Sequence, residues 1–238
     1  MKPRAVICDV YRTILDVGPP PADAEVQWAA LWRERLGGAV RLTLGEFRSA
    51  TDEAVATQHA AARAMGIAFP EVNWAEIVRK AVPEVEALDA AGQADFAFRH
   101  SGLGHTVRAM AEAPLVLQKL RKRGVVLGIA SNAQPYTLRE LDEALADTVA
   151  ERMWFEPVLC FWSFDHGYSK PDPHVFRLLT ARLLAQGIMP RETLMVGDRA
   201  DNDIAPARAQ GWQTWRLGQG DGLSGGDWAQ LAVALGVN

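Results

Sequence analysis

Short runs of consecutive apolar residues alternate along the chain with stretches in which apolar positions recur every three or four residues. Continuous apolar runs are typical of strands buried on both faces of a parallel sheet, and the second pattern is typical of amphipathic helices. Strands are therefore predicted at 5–8, 125–130, 158–162, 194–196 and 213–217. Helices are predicted between them at 114–123, 171–186 and 203–210. This alternation predicts an α/β fold with a doubly wound parallel sheet.

The region from 18 to 108 has a different pattern, in which strand signals are nearly absent. Helical patterns occupy 25–36, 44–65 and 74–82, and Gly-Pro-Pro-Pro at 18–21 marks the entry. We therefore predict two domains: a sheet-based core made of 1–17 and 109–238, and a helical domain at 18–108 inserted after the first strand. The glycine-rich stretch at 218–226 is expected to be a surface loop.

Composition and charge argue against two classes of partner, nucleic acids and membranes. The chain has 238 residues, of which 49% are hydrophobic, and a net charge of −4. Because the chain has no overall basic bias, a nucleic-acid partner is not expected. The sequence contains no run of 18 apolar residues, so a membrane partner is not expected either. Cys8 and Cys160 lie in apolar runs and are interpreted as free, buried thiols, which favours a cytoplasmic location.

Polar residues end several predicted strands. Asp9, Ser131 and Asp198 each follow an apolar run, and Lys170 follows the third run after a short loop. In open parallel sheets, ligands bind beyond the carboxyl ends of the strands. Each residue taken alone could simply cap the next helix, but the four together in this order predict a single functional site.

This ordered set resembles the four motifs of the haloacid dehalogenase (HAD) superfamily of hydrolases. The matching segments are Asp-Val-Tyr-Arg-Thr at 9–13, Ile-Ala-Ser-Asn at 129–132, Ser-Lys-Pro-Asp-Pro at 169–173, and Gly-Asp-Arg-Ala-Asp-Asn-Asp at 197–203. The insert at 18–108 resembles the helical C1-type cap of the family in position and character. The resemblance implies a Rossmann-like core with this insert as its cap.

The resemblance also implies roles for individual residues. Asp9 would be the nucleophile that forms a covalent aspartyl intermediate. Lys170 would keep Asp9 ionised and supply a cation, while Ser131 and Thr13 would donate hydroxyl hydrogen bonds to a transferring phosphoryl group. The residues expected to bind substrate are Ser131, Asn132, Arg12 and Lys170.

A magnesium ion is the cofactor that the resemblance implies. Asp9 and Asp198 would supply carboxylate oxygens and Tyr11 its backbone carbonyl, because hard oxygen ligands suit Mg²⁺. Asp203 would bind the ion through water or brace Lys170. The leading prediction is therefore a Mg²⁺-dependent phosphatase for a small, anionic, phosphorylated metabolite.

Position 11 departs from the pattern of the phosphatases in this family. They have a second Asp two residues after the nucleophile, and it acts as general acid and then general base. Tyr11 is a poor general base because an ordinary phenol has a pKa near 10. Slow turnover is therefore predicted, with Tyr11 itself counted among the catalytic positions.

Tyrosine at this position is typical of the 2-haloacid dehalogenase branch, which uses no metal. That branch has Ser-Ser-Asn-x-x-Asp at the fourth motif, where this chain has Gly197 and Asp198. It also has a Tyr six residues after its Lys, where this chain has Phe176. Two alternatives to the phosphatase stay open: a metal-independent dehalogenase-like hydrolase, and a non-catalytic HAD-like binding module. The sequence leaves the oligomeric state open.

Overall fold

Eight strands are present in the computed structural model, which describes residues 2–218 and 224–237. In chain order they are β1 (Ala5–Cys8), β2 (Leu15–Gly18), β3 (Thr106–Ala109), β4 (Val126–Ser131), β5 (Phe155–Trp162), β6 (Thr193–Gly197), β7 (Gln213–Leu217) and β8 (Gly225–Gly226). Six of them form a parallel sheet in the order β5-β4-β1-β6-β7-β8, and β2 pairs antiparallel with β3. Part of the predicted loop at 218–226, namely 219–223, lies outside the described residues.

The helices fall into two groups. Those between β2 and β3 are α1 (Ala24–Arg35), α2 (Leu44–Ala64), α3 (Trp74–Ala81) and α4 (Ala90–Ser101). Those after β3 are α5 (Ala113–Lys122), α6 (Tyr136–Leu145), α7 (Ser163–His166), α8 (Pro173–Ala185), α9 (Ala205–Ala209) and α10 (Trp228–Leu235). The second group accompanies the strands of the parallel sheet.

Alternate residues of β1 face two different hydrophobic cores, as expected for a strand covered on both faces. Val6 and Cys8 lie in one core together with side chains of α5, α6 and α10. Ala5 and Ile7 lie in the other core together with side chains of α8 and α9. The predicted doubly wound parallel sheet is therefore confirmed.

The helical insert has a third core of its own. Trp28 packs against Trp32, Phe47 and Phe96, with ring centroids 5.7, 4.8 and 5.9 Å away. None of these residues belongs to the two cores of the sheet. The predicted domain boundaries at 17/18 and 108/109 fall within the β2–β3 pair, and the division at those positions stays a prediction.

The predicted helix at 203–210 forms differently. The chain first makes a π-helical turn, Ala200–Ile204, and only Ala205–Ala209 is regular α-helix. In the wide turn, the Ile204 N–H donates to the carbonyl of Arg199, five residues back. This turn follows β6 and carries Asp203 to the end of the sheet.

Within the described part of the chain, no helix combines the length and apolar character that crossing a membrane requires. Cys8 and Cys160 are both free thiols. Cys8 is buried as expected, whereas Cys160 is only partly buried, because it lies on β5 at the edge of the sheet.

Candidate active site

The carboxyl ends of β1, β4 and β6 meet at one place because these strands are neighbours in the sheet. The Asp9 N–H donates to the Val196 carbonyl at 2.9 Å, which continues the sheet past the end of β1. A cavity of about 500 Å³ opens at this edge. Its lining residues are Asp9, Tyr11, Arg12, Asn132, Lys170, Asp198, Arg199, Asn202 and Asp203. The structure therefore brings most of the predicted site residues together.

Lys170 joins two carboxylates at the floor of this cavity. Its ammonium group donates to Asp9 Oδ1 at 2.8 Å and to Asp203 Oδ1 at 2.6 Å. Burial lowers the pKa of Lys170, but the two carboxylates outweigh burial and hold that pKa above its ordinary value. Burial raises the pKa of Asp9 to about 6, even though Lys170 acts in the opposite direction.

Asp203 reaches this position because Gly197 has no side chain. A Cβ atom on Gly197 would lie 2.5 Å from Asp203 Oδ2, which is too close for any other residue. The Arg199 N–H donates to the same oxygen at 3.0 Å. Asp203 is fully buried and braces Lys170, which is one of the two roles that the sequence left open for it.

The residues present fit a divalent cation. Oxygen atoms of Asp9, Asp198 and Asp203 all lie within 4.8 Å of one another. The single ammonium of Lys170 cannot neutralise three carboxylates. Burial, followed by the charge of Asp203, raises the pKa of Asp198 above its ordinary value. A hard cation would relieve this repulsion, and carboxylate oxygens are the ligands that Mg²⁺ takes.

Two predicted hydroxyl donors are buried without a partner. Ser131 Oγ, at the end of β4, and Thr13 Oγ1 form no hydrogen bond with any described residue. Buried hydroxyls without partners are rare because each loses its hydration without compensation. Neither residue is among those that line the cavity, so their predicted hydrogen bonds to a phosphoryl group stay a prediction.

Asn132 holds the backbone of Lys170. Its Nδ2 group donates to the Lys170 carbonyl at 2.9 Å, and its Oδ1 accepts from the Lys170 N–H at 2.7 Å. Both ends of the side-chain amide are thus occupied in positioning the lysine. The predicted contact of Asn132 with substrate stays a prediction.

The Tyr11 hydroxyl belongs to a buried hydrogen-bond network. It donates to Glu140 Oε2 at 2.5 Å, and the Thr137 hydroxyl lies 2.7 Å away on its other side. Ser101, from the helical insert, donates to the second oxygen of Glu140 at 3.2 Å. Burial, followed by the Glu140 carboxylate, raises the pKa of Tyr11 above its ordinary value. The phenol is therefore an even poorer base than the sequence alone predicts.

Arg12 adopts a left-handed backbone conformation, with φ at 55°. This conformation costs a non-glycine residue about 1 kcal/mol. The side chain is exposed, and it forms no hydrogen bond or ion pair with the residues that the structure describes. Its positive charge acts to lower the pKa of Asp198, which places it beside the acidic cluster.

A second pocket of about 430 Å³ adjoins the first and shares Tyr11, Arg12 and Asn132 with it. Its other lining residues are Val17, Glu71, His105, Ala133, Gln134 and Tyr136. Sequence reasoning missed Glu71, His105, Gln134 and Tyr136. Gln134 follows the second motif closely enough to have been suspected, but Glu71 lies in the insert, and no motif marks it.

The parallel sheet, the helical insert and the acidic cluster around a buried lysine define an α/β protein of the HAD type. A family model described as haloacid dehalogenase-like hydrolase matches residues 3–211, and the chain belongs to this family. The resemblance predicted from the four motifs is confirmed.

Two curated relatives are phosphatases. A phosphoserine phosphatase of Thermus thermophilus is 32% identical, with 63% of this chain and 64% of the relative covered. A glyceraldehyde 3-phosphate phosphatase of Pyrococcus furiosus is 31% identical, with 45% of this chain and 41% of the relative covered. This chain thus spans less than two thirds of the length of either relative.

The crystal structure of a 2-haloacid dehalogenase from Pseudomonas syringae pv. Tomato DC3000 is also similar. The identity is 23%, the TM-score is 0.56, and 99% of each chain is covered. At this identity the similarity shows a shared fold.

Proposed function

We propose that this protein is a Mg²⁺-dependent phosphatase that hydrolyses a small phosphorylated metabolite through an ester of Asp9. The observation that carries the proposal is the cluster of Asp9, Asp198 and Asp203, whose charge one lysine leaves largely uncompensated. The backbone carbonyl of Tyr11 completes the proposed ligand set with Asp9 and Asp198. When bound, Mg²⁺ supplies the positive charge that a transferring phosphoryl group requires.

In this mechanism a carboxylate oxygen of Asp9 forms the new bond to phosphorus as the bond to the leaving oxygen breaks. Lys170, Ser131 and Thr13 stabilise the charge on the phosphoryl oxygens, and Arg12 binds the substrate from the cavity wall. Water then hydrolyses the phospho-Asp9 ester and releases inorganic phosphate. Because Tyr11 cannot serve as acid or base, solvent water must protonate the leaving oxygen and accept the proton of the attacking water. Turnover is therefore slow.

The curated relatives support a phosphatase, since both are named for the hydrolysis of small phosphate esters. We propose a small anionic molecule as the substrate and neither nucleic acid nor membrane as a partner. The proposed location is the cytoplasm. In the proposed domain division, the insert at 18–108 is the cap over a core made of 1–17 and 109–238.

Phosphate release from a panel of phosphate monoesters tests this proposal. Release is expected with Mg²⁺ and should fall to background in excess EDTA, because the positive charge that a transferring phosphoryl group requires is then lost. Added Mg²⁺ should restore it. Equal release in EDTA, or no release from any ester, contradicts a metal-dependent phosphatase.

Replacement of Tyr11 tests why turnover is slow. Tyr11→Asp introduces the missing carboxylate and is expected to raise kcat about tenfold or more, because positioned acid–base groups contribute about 10²–10⁴-fold. Tyr11→Phe keeps the ring and should change kcat by less than about threefold. Steady-state phosphate release at saturating Mg²⁺ provides the measurement. Loss of turnover in Tyr11→Phe shows instead that the phenol takes part in the reaction.

A metal-independent dehalogenase is the second candidate, and Tyr11 is the specific observation that favours it. Halide leaves without a proton, so this reaction does not need an acid at position 11. Chloride release from a short 2-chloro acid that persists in EDTA would support it. If neither phosphate nor chloride is released, while ligands still stabilise the protein, the non-catalytic binding module is favoured.

A further inference from the structure

Glu71 brings an unbalanced negative charge into the second pocket. Its carboxylate accepts hydrogen bonds from Ser163 Oγ at 2.6 Å, Gln134 Nε2 at 2.8 Å and the Val72 N–H at 2.9 Å. All three donors are neutral, and Glu71 forms no ion pair within the described part of the chain. A partly buried carboxylate without a cation is costly unless a ligand supplies the charge.

Gln134, beside Glu71, provides a second observation. Because its Nε2 donates to Glu71, its Oε1 is the free end of the amide. This oxygen is buried and has no hydrogen-bond partner among the described residues. Gln134 also lines the pocket, so this unpartnered acceptor lies beside a carboxylate at the pocket wall, and both suit a group that carries several N–H donors and a positive charge.

Arg12 contributes the opposite charge to the same pocket. Its guanidinium has no hydrogen bond or ion pair with a described residue, and Arg12 borders both cavities. The pocket thus presents a free cation where it meets the cavity of Asp9, and an anion at Glu71. A small zwitterion carries the complementary charges, with its cationic group facing Glu71 and its anionic group facing Arg12.

We propose that Glu71 and Gln134 Oε1 bind a primary ammonium group on the leaving group of the substrate, and that Arg12 binds a carboxylate on the same molecule. The substrate class is then the phosphate esters of small hydroxy amino acids, which carry both groups. This inference rests on the proposed phosphatase function and specifies its substrate. An ammonium matches the pocket better than a hydroxyl, because a hydroxyl leaves the charge of Glu71 unneutralised.

The competing explanation is that Glu71 only fastens the insert to the core. Ser163 belongs to the core, and the Glu71 N–H also donates to the Gly167 carbonyl at 3.0 Å. A fastening role affects every substrate to the same extent. An ammonium-binding role affects the ratio between a substrate that carries the ammonium and a matched substrate that does not.

Two matched pairs of esters distinguish these explanations. O-phosphoethanolamine is compared with 2-hydroxyethyl phosphate, and O-phosphoserine with 3-phosphoglycerate; in each pair a hydroxyl replaces the ammonium. The wild-type protein is expected to favour the ammonium member by about 10²-fold in kcat/KM. Glu71→Gln should reduce that preference to less than about threefold, mainly by lowering kcat/KM for the ammonium esters. Glu76→Gln, on an exposed surface of the insert, is the matched control and should keep the preference.

Binding measured by calorimetry on the Asp9→Asn protein separates this inference from the proposed function. Ammonium-selective binding without Asp9-dependent phosphate release supports the inference and overturns the phosphatase. Phosphate release without preference within either pair keeps the phosphatase and overturns the inference. An equal loss for all four esters in Glu71→Gln assigns Glu71 to fastening and overturns the inference. If the protein shows neither ammonium-selective binding nor phosphate release, both the inference and the proposed function are overturned.

Discussion

Replacement of Asp9 by Asn is expected to abolish phosphate release while the protein remains folded. The amide has nearly the same shape as the carboxylate but is not a nucleophile, so the covalent ester cannot form. Loss of a nucleophile of this kind lowers kcat by about 10⁴-fold or more. Phosphate release at saturating Mg²⁺ gives kcat, and intact-mass measurement after mixing with substrate reports whether the phosphoryl adduct forms.

Thermal unfolding shows whether the Asp9→Asn effect is chemical or structural. Asp9 is one of three neighbouring carboxylates, and burial raises its pKa, so its ionised form is not needed for the fold. The Tm of the variant is therefore expected to stay at the wild-type value or above it. Asp201→Asn is the matched control, because Asp201 is exposed and pairs with Arg199 rather than with Lys170. An Asp9→Asn variant that keeps its activity excludes Asp9 as the nucleophile.

The position of the site could be predicted because it depends on strand ends. Asp9, Asp198 and Lys170 were identified from their places after apolar runs, and parallel neighbouring strands bring such residues together wherever the loops lead. The strand ends differ by a few residues, as in β5, which is longer than predicted. Such differences do not change where the site residues meet, because the carboxyl end of each strand still faces the site.

Two contacts between residues that lie far apart in the sequence could not be predicted. Glu71 meets Ser163 across 92 residues of sequence, and Tyr11 meets Glu140 across 129. Neither pair has a local sequence pattern. The contact of Glu71 with Ser163 depends on how the insert packs against the core, and the contact of Tyr11 with Glu140 depends on where α6 lies beside the loop after β1. Helix α6 itself was not predicted, and with it the Glu140 that binds the phenol was missed. The role of Tyr11 could be doubted from sequence, but its partner could not be named.

Replacement of Lys170 by Met is expected to damage both stability and activity. Methionine has a similar length, but it leaves Asp9, Asp198 and Asp203 together without an ammonium group. Removing one partner from a buried ion pair costs about 3–5 kcal/mol, because the remaining charge stays buried and unpaired. Loss of the cation next to the transferring phosphoryl group should also lower kcat by about 10³-fold.

Urea denaturation gives the change in the free energy of unfolding, and phosphate release under folding conditions gives kcat. Lys122→Met is the matched control, because Lys122 lies on the exposed end of α5 and its ammonium group donates a hydrogen bond to Gln118 rather than to a carboxylate of the site. If Lys170→Met lowers stability but the folded fraction keeps its kcat, the lysine serves the fold alone, by offsetting the charge of the three carboxylates. If kcat falls in protein that is still folded, as expected, the same ammonium group also acts in the chemical step. If neither quantity changes, the acidic cluster does not depend on Lys170, and the charge argument for the site is wrong.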